Sequence, residues 1–186
     1  MKTKSIILCA IFAAFLCIFS VITIPIGIVP ITLGTFGIML ASAILGWREG
    51  TISVIVFILI GAVGIPVFSG FKGGVSVIAG PTGGYIWSYI IMALITGALT
   101  RKLAKKPVLA MIQIALACIA GVAVCYFFGT LQFVFVQNTT FAAALGMCVI
   151  PFIPFDILKA VVAGYIAYTV RMRLSKAGLL QNSSAE

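Results

Sequence analysis

One acidic and one basic side chain lie close together in the apolar segment PFIPFDILKAVV. Asp156 and Lys159 are three residues apart, a spacing that places both on one face of a helix. An ionisable group at membrane depth costs about 2.5–3.5 kcal/mol, so such groups normally face a polar cavity and a partner. A carboxylate acceptor beside an ammonium donor suits a small polar ligand that carries both N–H and C=O groups. The structural alternative is a salt bridge that only holds the helices together.

A glycine-rich stretch interrupts the apolar sequence further upstream. In GPTGGY, a Gly-Pro turn precedes Thr82, a good helix N-cap, and Gly83 and Gly84 then begin a helix. The free N–H groups of such a helix start favour binding of an anion such as a carboxylate. Lys72, a short distance upstream, would add a positive charge to this anion site. A Walker A loop would need a preceding strand and a lysine after the glycines, and neither occurs here. The alternative is a turn whose glycines merely allow tight packing.

Aromatic side chains flank the glycine-rich stretch on both sides. Phe68, Phe71, Tyr85 and Trp87 provide surface that could sandwich a flat apolar ring. Each of them alone is equally consistent with core packing or with a membrane-interface belt. We expect Phe68 and Tyr85 to contact a ligand.

The residue types that most enzymes use are scarce in this chain. It contains no histidine, which removes His-ligated metals and every nucleophile activated by a histidine. Its five cysteines lack the spacing of a metal site and are expected to be packing residues. One buried carboxylate leaves little acid–base machinery. We therefore expect no catalytic residue, no metal and no cofactor.

The composition predicts a membrane protein. Of the 186 residues, 63% are hydrophobic and 8% are charged, more apolar side chain than a small water-soluble core can bury. A helix needs roughly 17–25 apolar residues to cross about 30 Å of hydrocarbon. The apolar runs and their breakers predict an all-α bundle of six transmembrane helices in a single domain, residues 1–186. The helices are expected at about 5–24, 32–46, 51–65, 83–100, 107–130 and 150–171.

The position of the basic residues along the chain explains the formal net charge of +9. With the amino terminus inside, ten of the twelve Lys and Arg residues fall in cytoplasmic segments, as the positive-inside rule requires. Lys72 would lie on the outer side, and Lys159 lies within the sixth span. Both termini are therefore predicted to be cytoplasmic, and the expected surroundings are membrane lipid and not nucleic acid.

Small residues repeat on the first helix. Ala10 and Ala14 form a small-xxx-small pair, a spacing that lets another helix approach closely within lipid. Alanine is common in membrane helices, so packing within the chain is the alternative.

Four segments of the chain together resemble the BioY family. They are IPIGIVPITLGTFGIMLA (24–41), GIPVFSGFKGG (64–74), GPTGGY (80–85) and PFIPFDILKA (151–160). Members of this family are the biotin-specific substrate-binding components, or S components, of energy-coupling factor (ECF) transporters. The resemblance covers nearly the whole chain.

The resemblance implies a six-helix protein of a prokaryotic cell membrane that captures biotin at the outer face. It also implies that the protein docks on a transmembrane coupling subunit and two ATP-binding-cassette ATPases. By matching motifs, Asp156 and Lys159 would hold the polar head of biotin, the GPTGGY turn would line the pocket, and Ala10 and Ala14 would lie on the docking face. Biotin carries a ureido group, an apolar thiophane ring and a carboxylate, which suit the polar pair, the aromatics and the helix start.

Two other functions are consistent with parts of the sequence. A self-sufficient secondary transporter or facilitator for biotin or a similar vitamin could use the same pocket without an ATPase. An intramembrane enzyme acting on lipids would need more acid–base groups than the chain supplies. Since the chain has no nucleotide motif, energy for uptake by an S component must come from a partner.

Overall fold

The computed structural model describes residues 3–24 and 30–180. In these residues the chain forms eight helices: α1 (Thr3–Val21), α2 (Gly34–Leu45), α3 (Trp47–Ala62), α4 (Val75–Ala79), α5 (Gly83–Leu99), α6 (Pro107–Gln137), α7 (Phe141–Cys148) and α8 (Ile153–Lys176). Two short strands, β1 (Thr23–Ile24) and β2 (Ile31–Thr32), pair antiparallel between α1 and α2. Residues 25–29, part of the first segment that resembles the family, lie outside the described residues.

All six helices expected from the apolar runs are present, as α1, α2, α3, α5, α6 and α8. Three of them, α1, α6 and α8, are long and apolar enough to cross a membrane, and α2 and α5 are shorter apolar helices. Large apolar side chains such as Ile11 and Ile18 are more than half exposed on α1. Exposed apolar surface of this kind suits a bundle whose outer face is covered by lipid.

The helix boundaries differ from the sequence prediction at two places. The segment WREG was expected to separate α2 from α3, but it forms the first turn of α3, and Gly46 alone separates the two helices. Gly46 has φ of 85°, a conformation that glycine adopts without steric cost. Helix α6 continues to Gln137, beyond the expected end near residue 130, because LQFVFV contains no breaker.

The outer connections contain structure that the hydrophobic pattern did not predict. Helix α4 and helix α7 have five and eight residues, and both lie between the six expected helices. Helix α7 begins at a true N-cap, since the Thr140 side chain accepts a hydrogen bond from the backbone N–H of Ala143 at 3.4 Å. Such elements are too short for their periodicity to stand out from the surrounding apolar sequence.

Helix α2 lies at the centre of the bundle. It contacts α1, α3, α5 and α8, and ten of its twelve residues are buried. Around it, α5 packs on α6 and α6 packs on α8. Glycines permit these close approaches: a Cβ at Gly164 of α8 would lie 2.7 Å from the carbonyl oxygen of Met111 in α6.

Both ends of the described chain lie at one end of the bundle. The Lys4 ammonium donates to the carbonyl oxygen of Gly178 at 3.3 Å. The Arg171 guanidinium of α8 donates to the carbonyl oxygens of Ala43, in the last turn of α2, at 3.0 Å and of Thr100, directly after α5, at 2.8 Å. This is the end that carries most of the basic residues, so the positive-inside rule makes it cytoplasmic.

Candidate ligand-binding cavity

A cavity of about 110 Å³ lies at the opposite end of the bundle. One water needs only about 10–15 Å³ on this measure, so the cavity has room for a small organic molecule. Helices α2, α5, α6 and α8 form its walls, and the connection between α3 and α5 contributes to its outer side. Its lining residues are Ser20, Pro30, Thr32, Thr35, Phe68, Ser69, Lys72, Val77, Thr82, Tyr85, Ile86, Tyr89, Val122, Cys125, Tyr126, Cys148, Phe152, Asp156 and Lys159.

Asp156 and Lys159 form a buried ion pair on the cavity wall. The Lys159 Nζ lies 2.9 Å from Asp156 Oδ1, and the two side chains are 12% and 7% exposed, respectively. Tyr126 donates to the other carboxylate oxygen at 2.5 Å, and the Thr35 hydroxyl donates to Oδ1 at 3.3 Å. Both carboxylate oxygens therefore have hydrogen-bond donors in a place where water is scarce.

The start of α8 determines where this carboxylate lies. A proline occupies the first turn of the helix, where its missing N–H costs no hydrogen bond, and Asp156 follows in the same turn. A negative charge in the first turn of a helix interacts favourably with the helix dipole. The local sequence thus places Asp156 near the outer end of the bundle.

The Lys159 ammonium has three acceptors and therefore uses all of its protons. Besides Asp156, they are the carbonyl oxygen of Thr32 at 2.7 Å and the Thr35 hydroxyl at 3.1 Å. These contacts join α8 to β2 and to the first turn of α2. The pair is thus a salt bridge within α8 whose further contacts hold β2 and α2, and it is also part of the cavity wall. Its geometry is compatible with both a structural role and a ligand-binding role.

The hairpin-like segment from Phe68 to Lys72 lies at the mouth of the cavity. The two residues exchange backbone hydrogen bonds of 2.9 and 3.3 Å, and the Phe68 ring packs edge-on against Phe57. Lys72 is exposed yet also lines the cavity. The Ser69 hydroxyl is buried and has no hydrogen-bond partner among the described residues. A buried unpaired hydroxyl on a cavity wall is a position where a bound molecule can supply the missing partner.

The glycine-rich turn before α5 was expected to bind an anion through its free N–H groups. Gly83 and Gly84 do not line the cavity. The N–H of Gly83 donates to the Gly80 carbonyl at 3.0 Å, and the N–H of Tyr85 donates to the Thr82 carbonyl at 3.2 Å. The N–H of Gly83 is therefore engaged within the turn, and an anion site at Gly83 and Gly84 stays a prediction.

Close packing explains both glycines. A Cβ at Gly83 would overlap the carbonyl oxygen of Ile78, and a Cβ at Gly84 would lie 2.7 Å from the Cβ of Gln132 in α6. Thr82 occupies the N-cap position of α5 and lines the cavity, but its side chain makes no capping hydrogen bond. The geometry thus corresponds to the packing alternative for this turn.

Of the aromatic residues singled out in the sequence, Phe68 and Tyr85 line the cavity. Tyr85 is also hydrogen-bonded to Thr130 of α6 at 3.2 Å. Phe71 points outward and is 71% exposed. Trp87 lies away from the cavity and donates to the Gln132 side chain at 2.8 Å.

Sequence analysis missed several polar residues of this region. Thr35 and Tyr126 bind the ion pair, and Ser69 offers its unpaired hydroxyl to the cavity. Gln132 fixes the turn before α5 by donating to the carbonyl oxygens of Ile78 and Gly80 at 3.0 and 2.9 Å. These residues could have been found in the sequence as polar side chains within long apolar runs, because such groups need hydrogen-bond partners in a membrane protein.

The small-residue pair of α1 lies far from the ion pair in the sequence and faces outward. Ala10 and Ala14 are exposed, whereas Ala13 beside them is 2% exposed and belongs to the core. An exposed small-residue face leaves room for a neighbouring helix. A docking role for Ala10 and Ala14 stays a prediction.

The fold and the cavity together define an all-helical membrane protein with an interior site for a small polar molecule. The chain belongs to the BioY family, whose model matches residues 1–176. This confirms the family resemblance carried by the four segments of the sequence.

Known relatives of this chain are named as transporters. The biotin transporter BioY of Thermotoga maritima is 36% identical over 169 residues, covering 90% of this chain and 96% of the relative. The probable biotin transporter BioY of Pyrococcus horikoshii is 38% identical over 167 residues, with the same two coverages. A solved structure, that of the S component for biotin from an ECF-type ABC transporter, has 32% identity, a TM-score of 0.82 and 92% coverage of both chains.

Proposed function

We propose that this chain is the biotin-binding S component of an ECF-type transporter. In this function it captures biotin at the outer face of a prokaryotic cell membrane without altering it chemically. The observation that carries the proposal is the Asp156–Lys159 pair on the wall of an internal cavity, in a member of the BioY family.

The ureido group of biotin fits the polar end of the cavity. Its N–H groups are donors suited to the Asp156 carboxylate, and its C=O is an acceptor suited to the Lys159 ammonium. The Thr35 hydroxyl bridges these two groups, with contacts of 3.3 and 3.1 Å. The ureido group takes the place of that hydroxyl and makes a charge-assisted hydrogen bond on each side, from its N–H to the carboxylate and from the ammonium to its C=O.

The apolar ring of biotin is assigned to the aromatic part of the wall. Phe68, Tyr85 and Tyr89 line the cavity together with aliphatic residues such as Ile86 and Val122. Small-molecule sites of this kind are mostly apolar, with a few polar groups that fix the orientation of the ligand. Apolar contact supplies affinity here, and the ion pair supplies specificity.

The carboxylate of biotin is assigned to the mouth of the cavity. The charged residues that line the cavity are Asp156, Lys159 and Lys72, so the lining carries one more positive than negative charge. That excess complements a monoanion. The buried, unpaired Ser69 hydroxyl provides a hydrogen-bond donor for the same end of the ligand.

Uptake then depends on partners. A transmembrane coupling subunit and two ATP-binding-cassette ATPases supply the energy, and the α1 face with Ala10 and Ala14 is the proposed contact with the coupling subunit. The exposure of both alanines supports this assignment, because a small-residue face allows close helix approach.

A binding titration tests the proposal directly. The purified full chain is titrated with biotin in detergent, and riboflavin serves as a control ligand that lacks the ureido-thiophane group and the carboxylate. We expect saturable binding of biotin with one molecule per chain and no binding of riboflavin. Failure to bind biotin would contradict the proposal.

A transport assay separates the proposal from self-sufficient transport. Proteoliposomes that contain the chain alone should accumulate no labelled biotin, whereas those that also contain the coupling module should accumulate it when ATP is supplied. Accumulation by the chain alone would instead support a secondary transporter or facilitator.

A further inference from the structure

The connection between α5 and α6 carries a dense group of basic side chains at the cytoplasmic end. Its four basic residues are Arg101, Lys102, Lys105 and Lys106. All four are exposed. Large apolar side chains on either side of them are also exposed, with Leu99 at 51% and Val108 at 66%. Apolar side chains that face acyl chains place the neighbouring basic groups at the level of the lipid headgroups.

A glutamine of α6 holds this connection in one shape. Gln113 accepts a hydrogen bond from the backbone N–H of Ala104 at 3.0 Å, and its amide donates to the carbonyl oxygens of Leu99 at 3.0 Å and Lys102 at 2.8 Å. Arg171 of α8 binds the Thr100 carbonyl at 2.8 Å. A connection fixed in this way loses little conformational entropy when it binds a ligand.

No described carboxylate neutralises the three lysines of this connection. In residues 3–24 and 30–180 the carboxylates are Glu49 and Asp156, and the ion pair of Asp156 with Lys159 lies at the opposite end of the bundle. Glu49 Oε1 accepts from the Ser5 hydroxyl of α1 at 3.4 Å. The ammonium groups of Lys102, Lys105 and Lys106 thus form a positive patch close to the membrane surface.

We propose that residues 102–106 form a binding site for the phosphate of an anionic phospholipid in the cytoplasmic leaflet. Clustered basic residues just beyond the end of a transmembrane helix attract anionic headgroups. Orientation by the positive-inside rule requires charge alone, whereas Gln113 adds a fixed backbone that displays the charges at set positions. The site therefore prefers an anionic headgroup to a zwitterionic one, independently of the molecule held in the outer cavity.

Native mass spectrometry of the purified full chain tests this site. The probes are phosphatidylglycerol and phosphatidylcholine, added at equal concentration, and the wild-type chain should retain the former. Each exposed lysine near an anionic surface contributes about fivefold to affinity, so K102Q/K105Q/K106Q should weaken phosphatidylglycerol retention by about a hundredfold. The matched control is K72Q at the outer end, which should retain phosphatidylglycerol like the wild type.

A second variant separates a formed site from diffuse attraction. Q113L keeps every charge but removes the hydrogen bonds that fix the connection, and it should lower the preference for phosphatidylglycerol by about fivefold. The melting temperature of each variant shows whether the fold is intact.

Four results would overturn the proposal. The first is phosphatidylglycerol retention by K102Q/K105Q/K106Q within about twofold of the wild type, and the second is an unchanged preference for phosphatidylglycerol in a folded Q113L. The third is displacement of the lipid by inorganic phosphate at the same concentration. The fourth is that K102Q/K105Q/K106Q binds lipid like the wild type but no longer docks on the coupling module. The third result would indicate a site for a soluble anion, and the fourth would indicate a protein-binding surface.

Discussion

Asp156 is the residue on which the proposed recognition of biotin depends most directly. Its carboxylate accepts hydrogen bonds from Lys159, Thr35 and Tyr126, which belong to three different helices. The same oxygens that hold these helices together are the acceptors proposed for the ureido N–H groups. A substitution of Asp156 therefore tests both roles, if the stability of the fold and the Kd for biotin are measured on the same variant.

Asp156→Asn should weaken biotin binding strongly while the chain still folds. A hydrogen bond to a charged group contributes about 1.5–3 kcal/mol, which corresponds to roughly a ten- to hundredfold rise in Kd. Titration calorimetry measures Kd, and a thermal scan of the ligand-free variant measures stability. Glu49→Gln, at the other end of the bundle, is the matched control and should change neither. A large loss of stability with Kd raised less than about threefold would mean that the pair is structural only.

Lys72→Gln should discriminate between biotin and its carboxamide. Exposed ion pairs contribute about 0.2–1 kcal/mol, so Kd for biotin should rise by about 1.4- to fivefold. Kd for biotinamide, which has no charge at that end, should stay within error of the wild type. Comparable losses for both ligands would show that Lys72 acts on the fold of the mouth and not on the carboxylate.

At the scale of elements, the hydrophobic pattern predicted the six helices α1, α2, α3, α5, α6 and α8 because each contains an apolar run that breakers separate from the next. The same reasoning ended α6 too early, since a bilayer-sized span was complete near residue 130 although the helix continues to Gln137. Helices α4 and α7 and the two-residue strands were not predicted. Their formation depends on contacts with the rest of the bundle and not on local periodicity.

The first turn of α5 shows why part of the site could not be predicted. A Gly-Gly helix start reads the same whether an anion or another helix approaches it. In this structure Ile78 packs against Gly83 and Gln132 packs against Gly84, and neither contact residue is adjacent to the glycines in sequence. Asp156 and Lys159 were recognised because charge within an apolar run is itself a signal, whereas the single hydroxyl of Ser69 is not.

Gly84→Ala should destabilise the chain by overpacking the contact between α5 and α6. The added methyl group would lie 2.7 Å from the Gln132 Cβ and 2.9 Å from the Phe128 carbonyl oxygen, and overpacking of this kind costs about 1–3 kcal/mol. The melting temperature should therefore fall.

Gly146→Ala in α7 is the matched control, because its added methyl group meets nothing within 4 Å. Its melting temperature should be unchanged or slightly higher, since alanine favours helix. Loss of biotin binding in Gly84→Ala at an unchanged melting temperature would point back to an anion site at the helix start.

At the scale of the whole molecule, the outer cavity and the outward face of α1 are separate surfaces. Ala10→Trp and Ala14→Trp should leave Kd for biotin unchanged but abolish ATP-dependent uptake with the coupling module, because indole rings block helix approach. Uptake in proteoliposomes and titration of the isolated chain measure the two effects.

Ala13→Trp is the control for the α1 substitutions, because that side chain is 2% exposed and points into the bundle. It should lower the melting temperature and impair binding and uptake together. If Ala10→Trp or Ala14→Trp behaved in the same way, the exposed face would be needed for folding and not for docking.

The single-residue junction at Gly46 has a consequence for the biogenesis of the protein. Helix α2 has twelve residues and is about 18 Å long, well short of the roughly 30 Å of hydrocarbon that a stable span must cross. Since Gly46 alone separates it from α3, the two helices would leave the translocon as one hairpin. The backbone around Ser42 already lies close to Gly50 within that hairpin, where an added Cβ would lie 2.7 Å from the Ser42 Cα. Helix α2 can then stay packed against α3 until the later helices are synthesised and enclose it.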